Sequence, residues 1–348
     1  MSVKTELFGM TQDGQKITAY TVDNGHMSFR VLDYGAILVN VNVPDAKGNL
    51  ADIVLGYDNA EQYFVNGCYF GSTIGPSANR IADGAFSIDG TSYQMPKNEG
   101  VNNLHTDALQ GLHKKLFQAI CGEEFVTFNI RLEDGECGLP GTRYITVTYS
   151  ITVDNGIKIH YHATSDKKTI LNLTNHSYFN LDGHGAGEIG QTLLTMNCSR
   201  YTPVVAGGIP TGEIAETAGT PMDFTTEQPI GDRIDADFEQ LKLTGGYDHN
   251  YCVDGWTGDG MLRPVAQARS LKSGRRMEVY STLPGVQFYA GNFIVSENGK
   301  SGIVYGKRGG FCLETQFYPD CINNPSWPQA VCGEDTVYDS TTKYVFLT

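Results

Sequence analysis

Strict two-residue alternation of apolar and polar side chains is the feature that most constrains this chain. It is clearest over residues 144–162, where Ile145, Val147, Tyr149, Ile151 and Val153 share one face. Asn155-Gly156 then turns, and Ile157, Ile159 and Tyr161 return. Period two places alternate side chains on opposite faces of a strand, and Asn-Gly between two such runs closes a hairpin. The pattern recurs in Val126, Phe128, Ile130 and Leu132, and again over residues 27–43, where Ile37, Val39, Val41 and Val43 oppose Asn40 and Asn42. A short strand is expected at residues 53–56, and Asp89-Gly90 predicts a hairpin over residues 84–93. Residues 227–243 are the one helix candidate. The 41 glycines and 19 tyrosines suit many turns and aromatic strands. No repeat, low-complexity tract or linker interrupts the 348 residues. The expectation is all-β: one large antiparallel β-sandwich domain over residues 1–348, with few short helices.

Charge narrows the classes of partner. A net charge of −14 without a lysine or arginine cluster argues against nucleic acid and against anionic membranes, both of which call for phosphate neutralisation. The first residues lack a basic start followed by a long apolar run, and no stretch nears the roughly twenty apolar residues that span a bilayer. The chain is therefore expected to be soluble and cytoplasmic. Cys68, Cys121, Cys137, Cys198, Cys252, Cys312, Cys321 and Cys332 are scattered without a Cys-x-x-Cys pair, and are read as buried reduced thiols.

Several polar residues stand out against this β pattern. His176 follows the apolar run of residues 169–173, among Asn175, Ser177 and Tyr178, just before Asp182-Gly183-His184-Gly185. An imidazole that titrates near pH 6.5 suits proton transfer in either direction, although a histidine here can also merely tie a loop to a sheet. Glu314 sits within Phe311-Cys-Leu-Glu-Thr-Gln-Phe317; desolvation there would strengthen it as a base, while alternation equally permits it to face outward. His105 ends an amide-rich stretch and Asp248 precedes His249, so a carboxylate with two histidines could form a general acid–base set around a polyol. Asp248 with Glu314 also admits glycoside hydrolysis, where carboxylate separation decides. His160 and His162 have the i, i+2 spacing of metal ligands but lack a third, and are read as outward-facing strand residues. No Gly-x-Ser-x-Gly elbow, dinucleotide fingerprint or P-loop is present.

Taken together, these stretches resemble the aldose 1-epimerase (galactose mutarotase) family. The resemblance runs in order through Ala78-Asn-Arg-Ile81, Asn102-Asn-Leu-His105, Thr174-Asn-His-Ser-Tyr-Phe-Asn-Leu181, Gly246-Tyr-Asp-His-Asn250, Gly285-Val-Gln-Phe-Tyr-Ala-Gly-Asn292 and Leu313-Glu-Thr-Gln316. It implies a large β-sandwich, with Glu314 as general base, His176 as general acid and His105 as a second active-site histidine. It also implies that Asn79, Arg80, Asp248 and Gln287 hold sugar hydroxyls, with no metal and no organic cofactor. The implied reaction interconverts α and β anomers of free hexoses such as galactose and glucose. Alternatives on the same fold are a non-catalytic sugar-binding protein or a hexose-6-phosphate epimerase. The substrate would be a monosaccharide, and the protein a monomer or homodimer. One departure is local: the family commonly follows its first histidine with Gly-Gly, whereas His105 precedes Thr106-Asp107-Ala108.

Overall fold

The computed structural model describes residues 2–348. Its regular structure is almost wholly antiparallel strand, with two six-residue α-helices, Ala60–Val65 and Glu239–Thr244. Three sheets make up most of the molecule. The central sheet has nine strands, running in order through Gln118–Cys121, Phe125–Leu132, Arg143–Ile151, Gly156–Ser165, Tyr338–Leu347, Arg276–Ser281, Arg263–Arg269, Leu193–Met196 and Gln228–Pro229. An N-terminal sheet of five strands, Ser2–Met10 to Leu50–Asp52, packs on it through edge-on aromatic contacts such as Tyr20 with Phe128. A second five-stranded sheet contains Asp248–Cys252, Gly285–Tyr289 and Cys312–Gln316 as neighbours. It too leans on the central sheet, where the Tyr344 hydroxyl donates to the Leu313 carbonyl at 3.1 Å. This layering is the expected all-β sandwich.

The alternation rule holds where it is cleanest. Arg143–Ile151 pairs with Gly156–Ser165 in unbroken register, and Asn155 turns with φ 58°. Ile145, Val147, Tyr149, Ile151, Ile157, Ile159 and Tyr161 are all buried, whereas Val153, expected on the same face, lies beyond the strand end at Ile151 and is fully exposed. His160 and His162 lie on the opposite face, and His160 Nε2 sits 3.0 Å from Asp339 on the neighbouring strand. The hairpin over Ala85–Ile88 and Thr91–Gln94 is also present.

Four expectations need correction. The run 27–43 is two strands, Ser28–Leu32 and Leu38–Pro44, because Gly35 and Ala36 adopt left-handed backbone and double the chain back. The strand expected at residues 53–56 ends earlier, at Asp52, whose carboxylate takes the Val41 and Val54 amides at 3.0 and 3.3 Å. Of residues 227–243, only the stretch from Glu239 onward is helical, while Gln228–Pro229 is an edge strand. Ala60–Val65 is a helix that alternation did not indicate; the Asn59 side chain caps it by accepting from Gln62 N at 3.1 Å. As for the thiols, all eight cysteines are free, but only Cys198, Cys252, Cys312 and Cys321 are buried, and Cys121 is exposed.

Candidate active site

The second five-stranded sheet converts sequence parity into a working surface. On Cys312–Gln316, Leu313 and Thr315 face the central sheet, so Cys312, Glu314 and Gln316 face away from it. In register beside them, Gln287 pairs with Glu314 and with Asn250, and Asp248 pairs with Tyr289. Asp248, Gln287 and Glu314 therefore project from three adjacent strands onto one face. The same parity turns His249 the other way, into the core, where its ring meets the Gln240 side chain at 3.2 Å.

A second layer of short pieces closes over this face. His176 ends Thr174–His176, which pairs with Ser72–Ile74. Its carbonyl accepts from Gly71 N at 3.0 Å, and only glycine fits at 71, since its φ is 67° and a Cβ would lie 2.0 Å from the Leu38 carbonyl oxygen. Asn175 points oppositely and donates to Gly71 O at 3.0 Å and to the Tyr149 hydroxyl at 3.2 Å, which makes it a packing residue. Tyr178 stacks on the His176 ring at 5.1 Å, and Tyr69 covers its other surroundings at 5.7 Å.

Asn79, Arg80 and His105 lie in or beside two-residue strands, Arg80–Ile81 and Asn103–Leu104, paired antiparallel. Asn79 and His105 both adopt left-handed backbone, with φ 59° and 53°. They grip each other: His105 N donates to Asn79 O at 2.9 Å, and Asn79 N donates to His105 Nδ1 at 3.1 Å. Thr106 continues the turn at φ 72°, an unfavourable value for a β-branched residue. Its hydroxyl offsets that strain by accepting from Ser77 N at 2.8 Å and donating to Ser77 O at 3.0 Å. A threonine thus serves here where the family commonly has glycine.

All seven residues to which the resemblance gives a role line one cleft of about 180 Å³: Asn79, Arg80, His105, His176, Asp248, Gln287 and Glu314. Also on its wall are Glu99, Tyr69, Cys68, Tyr289 and the exposed Phe293. Sequence reasoning missed Glu99, which holds Arg80 with two bonds of 2.7 Å. The pair is 19 positions apart in the chain, and no periodicity connects them. Tyr69 belongs to none of the motifs or alternating runs, so nothing in the sequence marked it either.

The centre of the cleft is buried and polar. His176 Nε2 lies 3.7 Å from Glu314 Oε1, with both side chains almost wholly buried. Desolvation, then the neighbouring Asp248 carboxylate, push Glu314 well above the usual glutamate range, while the Arg80 guanidinium opposes them. Burial pulls His176 down to about 3. His105 is also held well below the ordinary histidine value, first by burial and then by His176, Arg80 and His113. Asp248 accepts from Gln287 Nε2 at 2.7 Å, and burial raises its carboxyl. Asn79 Oδ1 and Glu314 Oε2 are buried acceptors without a donor among the described residues, placed to receive hydroxyl groups.

Ligand atoms of His105, His176 and Glu314 lie within 4.8 Å of one another, a set that a zinc ion can take. Hydrogen bonding at His105 opposes that use. A backbone N–H can only donate, so His105 Nδ1 must be the unprotonated nitrogen and Nε2 carries the hydrogen. Metal ligation through Nε2 would require the reverse tautomer. The arrangement suits hydrogen-bond donation from His105 and proton exchange between His176 and Glu314.

Residues 18–345 match the family model described as aldose 1-epimerase. The chain belongs to the aldose 1-epimerase family. A galactose mutarotase from Bos taurus is 37% identical over 349 residues, covering 99% of each chain. An aldose 1-epimerase from Escherichia coli is 35% identical over 344 residues, covering 97% of each. The crystal structure of galactose 1-epimerase from Lactobacillus acidophilus superposes with a TM-score of 0.85 at 29% identity, covering 99% of each chain.

Proposed function

We propose that this chain is an aldose 1-epimerase that interconverts the α and β anomers of free hexoses such as galactose and glucose. The observation that carries the reading is the buried Glu314–His176 pair, facing at 3.7 Å across a cleft lined with hydrogen-bonding groups in a chain of this family. In this reading Glu314 takes the proton of the C1 hydroxyl while His176 Nε2 protonates the ring oxygen. The C1–ring-oxygen bond breaks, the aldehyde forms, and rotation about C1–C2 presents its other face. Ring closure with both proton transfers reversed gives the opposite anomer. Each transfer typically contributes about 10²–10⁴-fold.

Desolvation makes both groups reactive: a carboxylate of raised pKa is a strong base, and an imidazolium of lowered pKa is a strong acid. The neutral pair and the ion pair hold the same number of protons, so pH does not select between them. His105, fixed as an Nε2–H donor, stabilises negative charge that develops on oxygen without exchanging a proton of its own. Asn79, Arg80, Asp248 and Gln287 hold sugar hydroxyls.

Among the described residues, Arg80 is the only lysine or arginine on the cleft wall, and its bidentate bond to Glu99 already compensates its charge. A phosphorylated hexose would find no free cation there, which favours unphosphorylated sugars. Retention of both an acid and a base favours catalysis over binding alone. We also infer a reducing, cytoplasmic setting from the eight free thiols. The net charge of −14 disfavours nucleic acid as a partner. No helix is long and apolar enough to cross a membrane among the described residues.

Polarimetry of freshly dissolved α-glucose, α-galactose and α-glucose-6-phosphate tests the reading. The free hexoses are expected to reach anomeric equilibrium faster than the buffer background, and the phosphate ester is not. Background rates for both free sugars would sink the proposal. Glu314→Gln and His176→Asn are each expected to cut kcat by about 10²-fold or more while sugar still binds. Wild-type turnover in either variant would overturn the role assigned to that residue.

A further inference from the structure

The guanidinium on the cleft wall has more carboxylates around it than it can balance. Among the described residues Arg80 is the only lysine or arginine there, and Glu99, Asp248 and Glu314 all act on its charge. Glu314 shares a single proton with His176, so that pair adds no net charge. Glu99 takes the charge of Arg80 through its two bonds of 2.7 Å. Asp248, an acceptor for Gln287 Nε2, is then left without a cation of its own. The wall carries an excess of negative charge, and a cleft with low-dielectric walls focuses such a field on whatever enters.

The backbone delivers Glu99 to this position. Its N–H donates to Asn102 O at 3.1 Å and its carbonyl accepts from Asn102 N at 3.0 Å, across a turn in which Gly100 takes φ 61°. Asn98 ties the turn to Leu104, accepting from its N–H at 2.7 Å and donating to its carbonyl at 2.8 Å. Leu104 is the strand partner of Arg80 itself. Gly208 then closes over the guanidinium, since a Cβ there would lie 2.8 Å from both Cζ and Nε and 3.0 Å from Nη1. Arg80 is thus held between Glu99 and Gly208. Glu99 keeps 34% of its side chain exposed, so its own charge also meets an entering sugar.

We propose that Glu99 is the specificity-determining residue that bars anionic sugars: it cancels the charge of Arg80, leaves Asp248 unbalanced and so reserves the cleft for uncharged aldoses. The proposal rests on the epimerase reading above and adds to it an excluded class, hexuronates and other sugar acids, with the residue responsible. A purely structural Glu99 would support all sugars alike, whereas a charge role separates a carboxylate from its neutral counterpart.

Galacturonate and galacturonamide differ at C6 in charge with little change in size, and both keep a free anomeric carbon. In wild type, polarimetry is expected to give a kcat/KM roughly tenfold lower for the acid than for the amide, the scale of one unbalanced charge met at about 10 Å in a partly screened cleft. Glu99→Gln and Glu99→Ala are each expected to bring acid and amide within about threefold of one another. Glu227→Gln breaks a comparable bidentate pair, with Arg269 outside the cleft, and should keep the wild-type ratio. Equal handling of acid and amide by wild type overturns the proposal, and so does refusal of both, which is exclusion by shape. A ratio that survives in whichever Glu99 variant folds overturns it equally. Loss of the ratio in Glu227→Gln assigns the effect to net charge and also overturns it. Dissociation constants from calorimetry give the same ratio without turnover, so Glu99 is judged separately from the galactose polarimetry that judges the epimerase reading.

Discussion

At Glu314 and His176, burial acts in opposite directions on one shared proton. It raises the carboxyl and lowers the imidazole, so over a wide pH range the pair holds a single proton between them. The reactive arrangement, carboxylate with imidazolium, belongs to that one-proton state. Activity is therefore expected to persist on the acid side down toward the His176 value of about 3, as far as the fold survives, and to fall on the alkaline side when the pair loses its last proton. The neighbours of Glu314 give that alkaline limb a sign. Arg80 lowers the Glu314 pKa, so Arg80→Gln should move the limb to higher pH. Asp248 raises it, so Asp248→Asn should move the limb to lower pH. Profiles of kcat/KM against pH, with the buffer rate subtracted at each point, check both directions; a common shift in both variants would contradict the assignment. The motif residues themselves were legible in the chain. Glu99, which compensates the charge of Arg80, was not, because an ion pair between short, irregular segments leaves no periodic trace.

At the scale of elements, strand parity explains why the site can be assembled at all. One face of Cys312–Gln316 belongs to the core and the other to the cleft, and the register with Gly285–Tyr289 and Asp248–Cys252 repeats that division. Alternation made the long hairpin of residues 143–165 readable, but it left Glu314 undecided, since both faces of its strand are buried. The short strand Thr174–His176 gains its rigidity from the hairpin beneath it. The buried Tyr149 hydroxyl donates to Ala36 O at 2.9 Å, accepts from Asn175 Nδ2 at 3.2 Å and lies 3.3 Å from the Thr73 hydroxyl. Tyr149→Phe leaves those groups short of a partner and is expected to cost about 1–3 kcal/mol of stability. Denaturant melts should report that loss. Mutarotation by the folded variant should stay within a fewfold of wild type, because the tyrosine lies behind His176 rather than in the cleft.

For the whole molecule, the decisive feature is where the chain ends. Tyr338–Leu347 is the middle strand of the nine-stranded sheet, paired to Gly156–Ser165 on one side and Arg276–Ser281 on the other. The main apolar core likewise draws on residues from Tyr20 to Phe346. We propose that the chain folds as one domain, held shut by its last strand. Deleting residues 338–348 is then expected to abolish cooperative folding, whereas the full chain should melt in one calorimetric transition whose van't Hoff and calorimetric enthalpies agree. Two separated transitions, or a folded truncation, would count against a single domain.

The chain by itself determined the β class, the long hairpins, and the residues that meet in the cleft. The first two follow from local rules, period-two alternation and Asn-Gly and Asp-Gly turns; the third follows from ordered motifs that resemble those of a known family. Only the tertiary structure decided which nitrogen of His105 carries its hydrogen, how Glu99 occupies Arg80, and which way burial moves each pKa. These depend on atoms brought together from distant segments, such as Asn79 N at His105 and the Glu99 carboxylate at Arg80. Hydrogen bonding and desolvation act over a few ångströms in space, and sequence distance does not encode that proximity.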